Sequence, residues 1–197
     1  MKYYLFTFII VILFGCADKP SIEKKEKPVA EDTSRKLVII QTTMGNITVE
    51  LNEKAAPKHA ENFLKLAKEG YYEGTTFHRV IPGFMIQGGD PNSKDNDRSN
   101  DGMGGPDYRI DAEIGLPHTR GVIAAARQGD AVNPQRKSNG SQFYITVADA
   151  HFLDGQYSVF GKVVDGMETA DKIVAVQRDA RDNPLEKVVI TKVIVVE

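Results

Sequence analysis

Residues 77–90 hold the side chains best suited to chemistry. Their sequence, Phe-His-Arg-Val-Ile-Pro-Gly-Phe-Met-Ile-Gln-Gly-Gly-Asp, brings a permanent cation, an amide and large apolar groups close together. Because alternate side chains of an extended segment face the same way, Met85 and Gln87 should share one face. The Pro-Gly turn folds the chain back, so that Arg79 lies beside Phe84. We therefore predict an apolar shelf with a guanidinium at its edge.

The rest of the chain predicts short strands and two helices that would position this shelf. Strands are predicted over residues 37–41, 47–51, 121–126, 143–146, 159–164 and 188–196, and helices from Pro57 to just before Gly70 and over 168–174. In the first helix Ala60, Phe63, Leu64 and Ala67 form one apolar stripe, which is typical of a helix packed on a core. Many short strands with turns between them indicate an all-β barrel or a sandwich, and the pattern alone leaves both open.

Composition argues against several classes of site. The net charge is −2 and the basic residues are scattered, so we expect no nucleic-acid surface. Cys16 is the only cysteine, which excludes an intramolecular disulfide and a zinc site built of cysteines. The four histidines have irregular spacing and are interpreted as surface or packing residues. We expect neither a metal nor another cofactor.

The N-terminal residues predict an address signal followed by a tether. Residues 3–14 are almost entirely apolar but too few to span a bilayer as a helix, which is typical of a signal peptide over residues 1–15. The sequence Leu-Phe-Gly-Cys that ends at Cys16 resembles a bacterial lipobox, in which the cysteine is diacylated. Residues 16–36 would then be the lipidated cysteine and a flexible charged tether. The alternative is an ordinary secretory signal with a chance cysteine.

Three ordered blocks resemble the signature of the cyclophilins, the cyclosporin-type peptidyl-prolyl isomerases. They are residues 77–90, the sequence Asn-Gly-Ser-Gln-Phe-Tyr-Ile at 139–145, and Phe-Leu-Asp-Gly at 152–155, which leads into Val-Phe-Gly-Lys-Val at 159–163. The resemblance covers the predicted domain at 37–197. It implies a mainly β fold, a closed eight-stranded antiparallel barrel capped by two α-helices, with the substrate groove on the outside.

The resemblance implies catalysis by Arg79, Phe84 and Gln87. Rotation about an X-Pro bond meets a barrier of ~18–20 kcal/mol, because amide resonance is lost at the twisted state. Catalysis needs no nucleophile, only a pocket for the proline ring and a donor for the twisted amide. The guanidinium of Arg79 stays charged and can donate to the proline nitrogen. The alternative is that Arg79 is an ordinary surface arginine in a salt bridge.

The matched positions also imply the residues that bind substrate. The proline pocket would be formed by Phe84, Met85, Tyr144 and Leu153. The peptide backbone would be held by the amides of Gln87 and Gln142 and would pair with the backbone of Ala126 and Arg127. The site would be completed by His78, Phe152 and Tyr157. Each apolar member could instead be ordinary core.

Three positions depart from the family. Arg127 stands where asparagine is frequent and would place a second cation at the groove. Phe152 replaces the tryptophan of cyclosporin-sensitive members and lacks its indole N–H, so we expect weak cyclosporin binding with catalysis intact. Tyr157 stands where many members have histidine. The polar loop at 130–139 is also longer than usual in the family, and its purpose stays open.

The sequence leaves three functions to compare for this chain. The first is a membrane-anchored, extracytoplasmic and monomeric isomerase that assists the folding of proline-containing polypeptides. The second is a binding module that captures such segments without turnover, but it would not need the charged donor Arg79. The third, a hydrolase using Ser141 with a histidine, is disfavoured because the chain has no G-x-S-x-G elbow.

Overall fold

Eight antiparallel strands and two helices make up the regular structure of the part of the chain that is described. A computed structural model of the chain describes Met1 and residues 36–196, and the sheet lies within one compact unit. The strands are β1 (Leu37–Thr42), β2 (Gly45–Leu51), β3 (Arg79–Ile81), β4 (Met85–Gly88), β5 (Val122–Ala125), β6 (Phe143–Thr146), β7 (Val159–Asp165) and β8 (Ile190–Val196). The helices are α1 (Pro57–Lys68) and α2 (Met167–Val174), and 3₁₀ turns span Pro91–Lys94 and His151–Leu153. The predicted signal peptide, the lipidation site at Cys16 and the tether lie outside the described residues.

The strands follow the alternation of apolar residues in the sequence. Val38, Ile40, Ile47 and Val49 of the β1–β2 hairpin are fully buried, and the residues between them are partly buried. The side-chain period of two in a strand puts all four on one face. The strands pair in the order β3-β4-β6-β5-β7-β2-β1-β8. The prediction of a mainly β fold with eight antiparallel strands and two helices is confirmed.

The strand ladder does not close, so the prediction of a closed barrel is wrong. Strands β3 and β8 are the two edges of the sheet. The residues just before them meet through the isolated bridge between Thr76 and Val189, and backbone hydrogen bonds of 2.8–3.0 Å join residues 74–77 to 188–190. We call these two segments the seam. In the antiparallel register of this bridge, β8 would lie opposite residues 69–75, which are mostly turn, and β3 would lie opposite residues 184–186, so the two edge strands do not face each other as a ladder.

Helix α1 packs against β7 and β8, and α2 packs against β2, β3 and β4. Pro57 is the first residue of α1, where its missing N–H is not needed, and Gly70 follows the helix with φ of +68°. Phe63 is in the core as predicted. Leu64 is only partly buried, whereas its neighbour Leu66 is 2% exposed.

The first turn of α1 is held by a carboxylate from a distant loop. No side chain of the residue before Pro57 caps the helix. Instead, Glu113 accepts hydrogen bonds from the backbone N–H groups of Lys58 and His59, both at 3.1 Å. The His59 ring bridges Glu113 at 2.6 Å and the Ser138 hydroxyl at 3.0 Å. A negative group at a helix N-terminus accepts hydrogen bonds from the free backbone N–H groups and interacts favourably with the helix dipole.

Strands β4, β5, β6 and β7 carry apolar side chains on both faces. One face belongs to the inner core with α1, and it includes Ile86, Ile123 and Phe143. The other face belongs to a second group, which we call the outer cluster. It consists of buried Met85, Val122, Ala124, Ala126, Tyr144 and Val159 with partly buried Ile81, Phe84, Leu116, Leu153 and Tyr157. The outer cluster is where a groove can form.

The helices in residues 36–196 have 12 and 8 residues, and neither has the length and apolar character to cross a membrane.

Candidate active site

The β3–β4 hairpin positions the predicted donor. In its register Arg79 lies opposite Gln87 and Ile81 lies opposite Met85. The turn between the strands contains Gly83, whose φ of +72° favours glycine. Met85 lies in the outer cluster, so the hairpin brings the apolar shelf and the cation to the same strand pair.

Arg79 is exposed, and its side chain makes no hydrogen bond or ion pair with any residue in the described part of the chain. The interpretation of a surface arginine in a salt bridge is therefore not supported there. A guanidinium without a protein partner keeps its fork of N–H donors available for a ligand.

Two glutamines link the β3–β4 hairpin to a neighbouring loop. Gln87 donates from Nε2 to Gln142 Oε1 at 3.0 Å, and Gln142 donates from its own Nε2 to the carbonyls of Gly102 and Gly104 at 3.0 and 2.8 Å. Gln142 is 4% exposed. Its amide therefore holds Gln87 and the 102–104 loop in place, and Gln87 is only partly buried.

The four predicted residues of the proline pocket come together in the outer cluster. Phe84 and Leu153 lie partly buried beside Met85 and Tyr144, which are 2% and 5% exposed. Phe152 packs on Phe84 with ring centroids 5.3 Å apart and remains 66% exposed. The cluster thus has a buried floor and an exposed aromatic rim.

The predicted pairing edge is narrower than expected. The Ala126 N–H donates to Gln142 O and its carbonyl accepts from Asn139 N–H, both at 2.9 Å, so both backbone groups are occupied. The backbone of Arg127 makes no hydrogen bond with a described residue. A peptide laid along this edge would have to pair with Arg127 alone.

The side chain of Arg127 is not a second cation at the groove. It is 3% exposed, and its Nε–H donates to Gln156 O at 2.9 Å. Its NH1 group lies 2.6 Å from Asp130 Oδ1, and its Cζ lies 4.4 Å from the centroid of the Tyr157 ring. The prediction failed because residue spacing does not tell which way a long side chain turns.

The hydroxyl of Tyr144 is hydrogen-bonded to His118, for which the sequence predicted only a surface or packing role. His118 is fully buried, with Nε2 2.9 Å from Tyr144 Oη and Nδ1 3.0 Å from Asp154 Oδ1. Burial lowers the pKa of His118 despite Asp154. The backbone N–H of His118 and then the ring of His151 hold the pKa of Asp154 at about 2. The anionic carboxylate therefore favours a proton on Nδ1 of neutral His118, which leaves Nε2 to accept from the tyrosine.

His78 is buried, whereas its neighbour Arg79 is exposed. It is 4% exposed, and neither ring nitrogen has a hydrogen-bond partner among the described residues. Burial lowers its pKa, against the attraction of Asp90 and Asp101. A neutral His78 can order its neighbour by packing, but it does not present itself to a substrate.

The hydrolase interpretation finds no support in the geometry. Ser141 is 3% exposed, and its hydroxyl lies 3.4 Å from Asn139 Oδ1, not from a histidine. Ser138 does contact His59, but it is 4% exposed within the fold. Residues 36–196 contain no group of three or more His, Cys, Asp or Glu side chains placed to hold a metal ion.

The chain is similar to known proteins in both sequence and structure. The profile of the family described as cyclophilin type peptidyl-prolyl cis-trans isomerase/CLD matches residues 37–195. Peptidyl-prolyl cis-trans isomerase-like 1 of Gibberella zeae is 39% identical over 161 residues, which cover 81% of this chain and 94% of that protein. Peptidyl-prolyl cis-trans isomerase cypE of Dictyostelium discoideum is 42% identical over 156 residues, which cover 79% and 94%.

A cyclophilin type peptidyl-prolyl cis-trans isomerase of Cryptosporidium parvum, crystallised in the presence of the dipeptide Ala-Pro, has a similar structure. Its TM-score is 0.73 at 34% sequence identity, and the match covers 82% of this chain and 99% of that one. These relatives are eukaryotic and lend no support to a bacterial lipoprotein N-terminus, which stays a prediction.

Proposed function

This chain belongs to the cyclophilin-type peptidyl-prolyl cis-trans isomerase family and is a peptidyl-prolyl cis-trans isomerase, and on that basis we propose a more specific role. It accelerates rotation about X-Pro bonds in polypeptides outside the cytoplasm and so assists their folding. It acts as a monomer held at a membrane through acylated Cys16.

The observation that carries the catalytic proposal is the guanidinium of Arg79, which lies beside the outer cluster and has no partner among residues 36–196. When the X-Pro bond twists, the proline nitrogen loses conjugation and gains a lone pair that accepts a hydrogen bond. A donor already in place stabilises this state more than the planar one, and only such differential binding raises the rate. The Arg79 side chain can supply this donor without first breaking a hydrogen bond to a described residue.

The outer cluster supplies the pocket for the proline ring. Met85 and Tyr144 form its buried floor, and Phe84 and Leu153 are its partly buried walls. The Cryptosporidium parvum relative was crystallised with a dipeptide that ends in proline, which supports a proline-containing ligand at the corresponding groove. Gln87 and the backbone of Arg127 would fix the peptide on either side of the ring.

The catalytic proposal is tested with Arg79→Ala in the full chain. We expect the isomerisation rate of a short Ala-Pro peptide, measured by NMR exchange spectroscopy, to fall about 100- to 1,000-fold, because one preorganised donor is lost. Peptide affinity should change much less, because the apolar pocket remains.

Arg178→Ala is the matched control, since it removes an arginine that is paired with Asp182 outside the outer cluster. Isomerisation by Arg79→Ala within about threefold of wild type would overturn the role of Arg79. Peptide binding by the wild type without acceleration would instead make the protein a binding module.

The location is proposed from the N-terminal sequence alone. The apolar run at 3–14 and the Leu-Phe-Gly-Cys sequence ending at Cys16 suit processing and acylation, and two or more chains suffice for stable membrane binding. The charged residues that follow would hold the domain away from the lipid surface.

Cys16→Ala should move the protein from the membrane to the soluble fraction of a bacterial host and remove the added acyl mass from the mature N-terminus. Fractionation and intact mass spectrometry measure both, with Ala17→Ser as the control that keeps the cysteine. A wild-type chain that matures without acyl mass would refute the anchor and leave the isomerase proposal untouched.

A further inference from the structure

The loop at residues 127–139, of which the proposed function uses only the backbone of Arg127, is held together by internal hydrogen bonds. Asn133 accounts for much of its internal bonding. Its N–H donates to Gly129 O at 3.0 Å, its carbonyl accepts from Arg136 N–H at 2.9 Å, and its amide donates to Lys137 O at 2.8 Å. A loop of this length with so many internal bonds has a defined shape to impose on its neighbours.

Two arginines of this loop reach across to the same turn. Arg127 Nε–H donates to Gln156 O at 2.9 Å, and Arg136 NH1 donates to Gly155 O at 2.8 Å. The carboxylate of Asp130 lies between the two guanidinium groups, with Oδ1 2.6 Å from Arg127 and Oδ2 2.8 Å from Arg136. We call this arrangement of Arg127, Asp130 and Arg136 the clamp.

The turn that the clamp holds carries part of the proline pocket. Leu153 and Tyr157 flank Gly155 and Gln156, and both belong to the outer cluster. The guanidinium of Arg127 also covers the Tyr157 ring at 4.4 Å, and that ring meets Tyr144 edge-on with centroids 5.9 Å apart. The energies of a cation–π contact and of an edge-to-face ring pair both depend on the distance and orientation of the two groups. A shift of the clamp would therefore move the pocket wall.

We propose that Asp130 is a positioning residue for the isomerase: it fixes the two arginines that set the place of Leu153 and Tyr157, and so sets affinity for the proline ring. This inference deepens the proposed function and rests on the outer cluster being the proline pocket. Asp130 itself is exposed, and its hydrogen bonds and ion pairs with described residues are to Arg127 and Arg136, so it acts through these two side chains.

Burial explains why the clamp needs its carboxylate. The side chain of Arg127 is 3% exposed, and a buried charge is tolerated only when it is paired and hydrogen-bonded. With Asp130 removed, its guanidinium keeps two carbonyl acceptors but loses its counter-charge. The favourable response is for the side chain to turn toward water, which releases Gln156 and uncovers Tyr157.

The test is Asp130→Asn in the full chain, with an Ala-Pro peptide as the probe. We expect the peptide dissociation constant to rise about three- to tenfold, and the catalysed exchange rate at saturation to change less than about twofold, because ground-state and transition-state binding are weakened equally. The Arg127 Nε–H resonance, identified as the signal missing from Arg127→Lys, should broaden or vanish. Asp130→Glu should recover part of the affinity, since it keeps the carboxylate.

Asp111→Asn is the matched control. Asp111 forms ion pairs with Lys137, at the far end of the same loop, and with Lys58, and touches no residue of the clamp. Its loss should leave peptide affinity within about twofold of wild type, as is usual for exposed ion pairs. Arg136→Gln provides a second test, because it removes the bond to Gly155 from a partly exposed side chain, and it should raise the dissociation constant in the same direction.

Two results would overturn the clamp. One is an unchanged peptide affinity in Asp130→Asn when the Arg127 Nε–H signal is lost. The other is an equal loss of affinity in Asp130→Asn and Asp111→Asn. Failure of the proposed function has a different signature, because wild-type protein would then bind the peptide without accelerating exchange, while Asp130→Asn could still weaken that binding.

Discussion

Arg79 and Arg127 have opposite environments within the same site. Arg79 is exposed and its side chain has no hydrogen-bonding partner in the described part of the chain, whereas the Arg127 side chain is buried and bonded to two carbonyls and a carboxylate. A free, rigid fork of donors suits the stabilisation of a twisted amide, and a bonded one suits the holding of structure. On the proposed function, Arg79 would act in catalysis and Arg127 in support of the pocket.

Phe152 is the residue on which cyclosporin affinity should depend. It packs on Phe84 at the rim of the pocket and is 66% exposed, so a larger ring fits there without disturbing the core. Phe152→Trp adds an indole N–H donor, and we expect cyclosporin to bind at least about tenfold tighter while peptide isomerisation changes less than about threefold. Isothermal titration calorimetry measures the affinity.

Val132→Trp is the control for this prediction, because it adds a tryptophan at another exposed site, where the native side chain is 72% exposed. Low-nanomolar cyclosporin binding by the wild type would contradict the expectation that the missing N–H is decisive.

At the scale of elements, the proposed active surface depends on strands that pack against the inner core on one face and form the outer cluster on the other. In β6, Phe143 and Ile145 face the inner core while Tyr144 faces the outer cluster. The same holds in β5, where Ile123 faces inward and Ala124 outward. Tight packing on the inner face therefore fixes the height and orientation of the groove floor, which keeps the pocket preorganised.

Elements with strong local patterns were predictable from the sequence. Strand β6 has the predicted bounds, and α2 begins one residue earlier than expected. Strand β8 begins at Ile190, not at residue 188, because the residues before it are used in the seam. Bounds set by long-range pairing cannot be inferred from local alternation.

The site was predictable only where the family resemblance named its residues. The pocket residues come together as expected, but the contact of His118 with Tyr144 joins positions 26 residues apart, and the contact of Glu113 with His59 joins positions 54 apart. No spacing rule links such pairs, since the fold alone brings them together. The direction of the Arg127 side chain was missed for the same reason.

At the scale of the whole molecule, three buried histidines couple stability to pH. His59, His78 and His118 are 3%, 4% and 0% exposed, and burial lowers the pKa of each. The unfolded chain, with an ordinary histidine pKa of about 6.5, then binds more protons than the folded protein. Stability is full above that pH and falls as the pH drops through it.

We therefore expect the urea midpoint to decrease steadily from pH 7.5 to about pH 5. Carboxylates such as Asp154, with its pKa held at about 2, add to the loss only at lower pH, so this window reports the histidines. His118→Gln, which removes a fully buried histidine whose pKa is lowered by burial, should reduce the slope of midpoint against pH. A midpoint that is flat or rises on acidification would contradict the prediction.

The sheet order has a consequence for the protein's own synthesis. Strand β1 pairs with β2 on one side and with β8 on the other, although about 150 residues separate β1 from β8. At a translation rate of about 5–20 residues per second, the first strand waits about 8–30 s for its second partner. During that time one edge of the nascent hairpin and its apolar face stay uncovered, and an isolated hairpin is marginally stable at best. The last strand to leave the ribosome therefore sets the earliest moment at which the domain can fold.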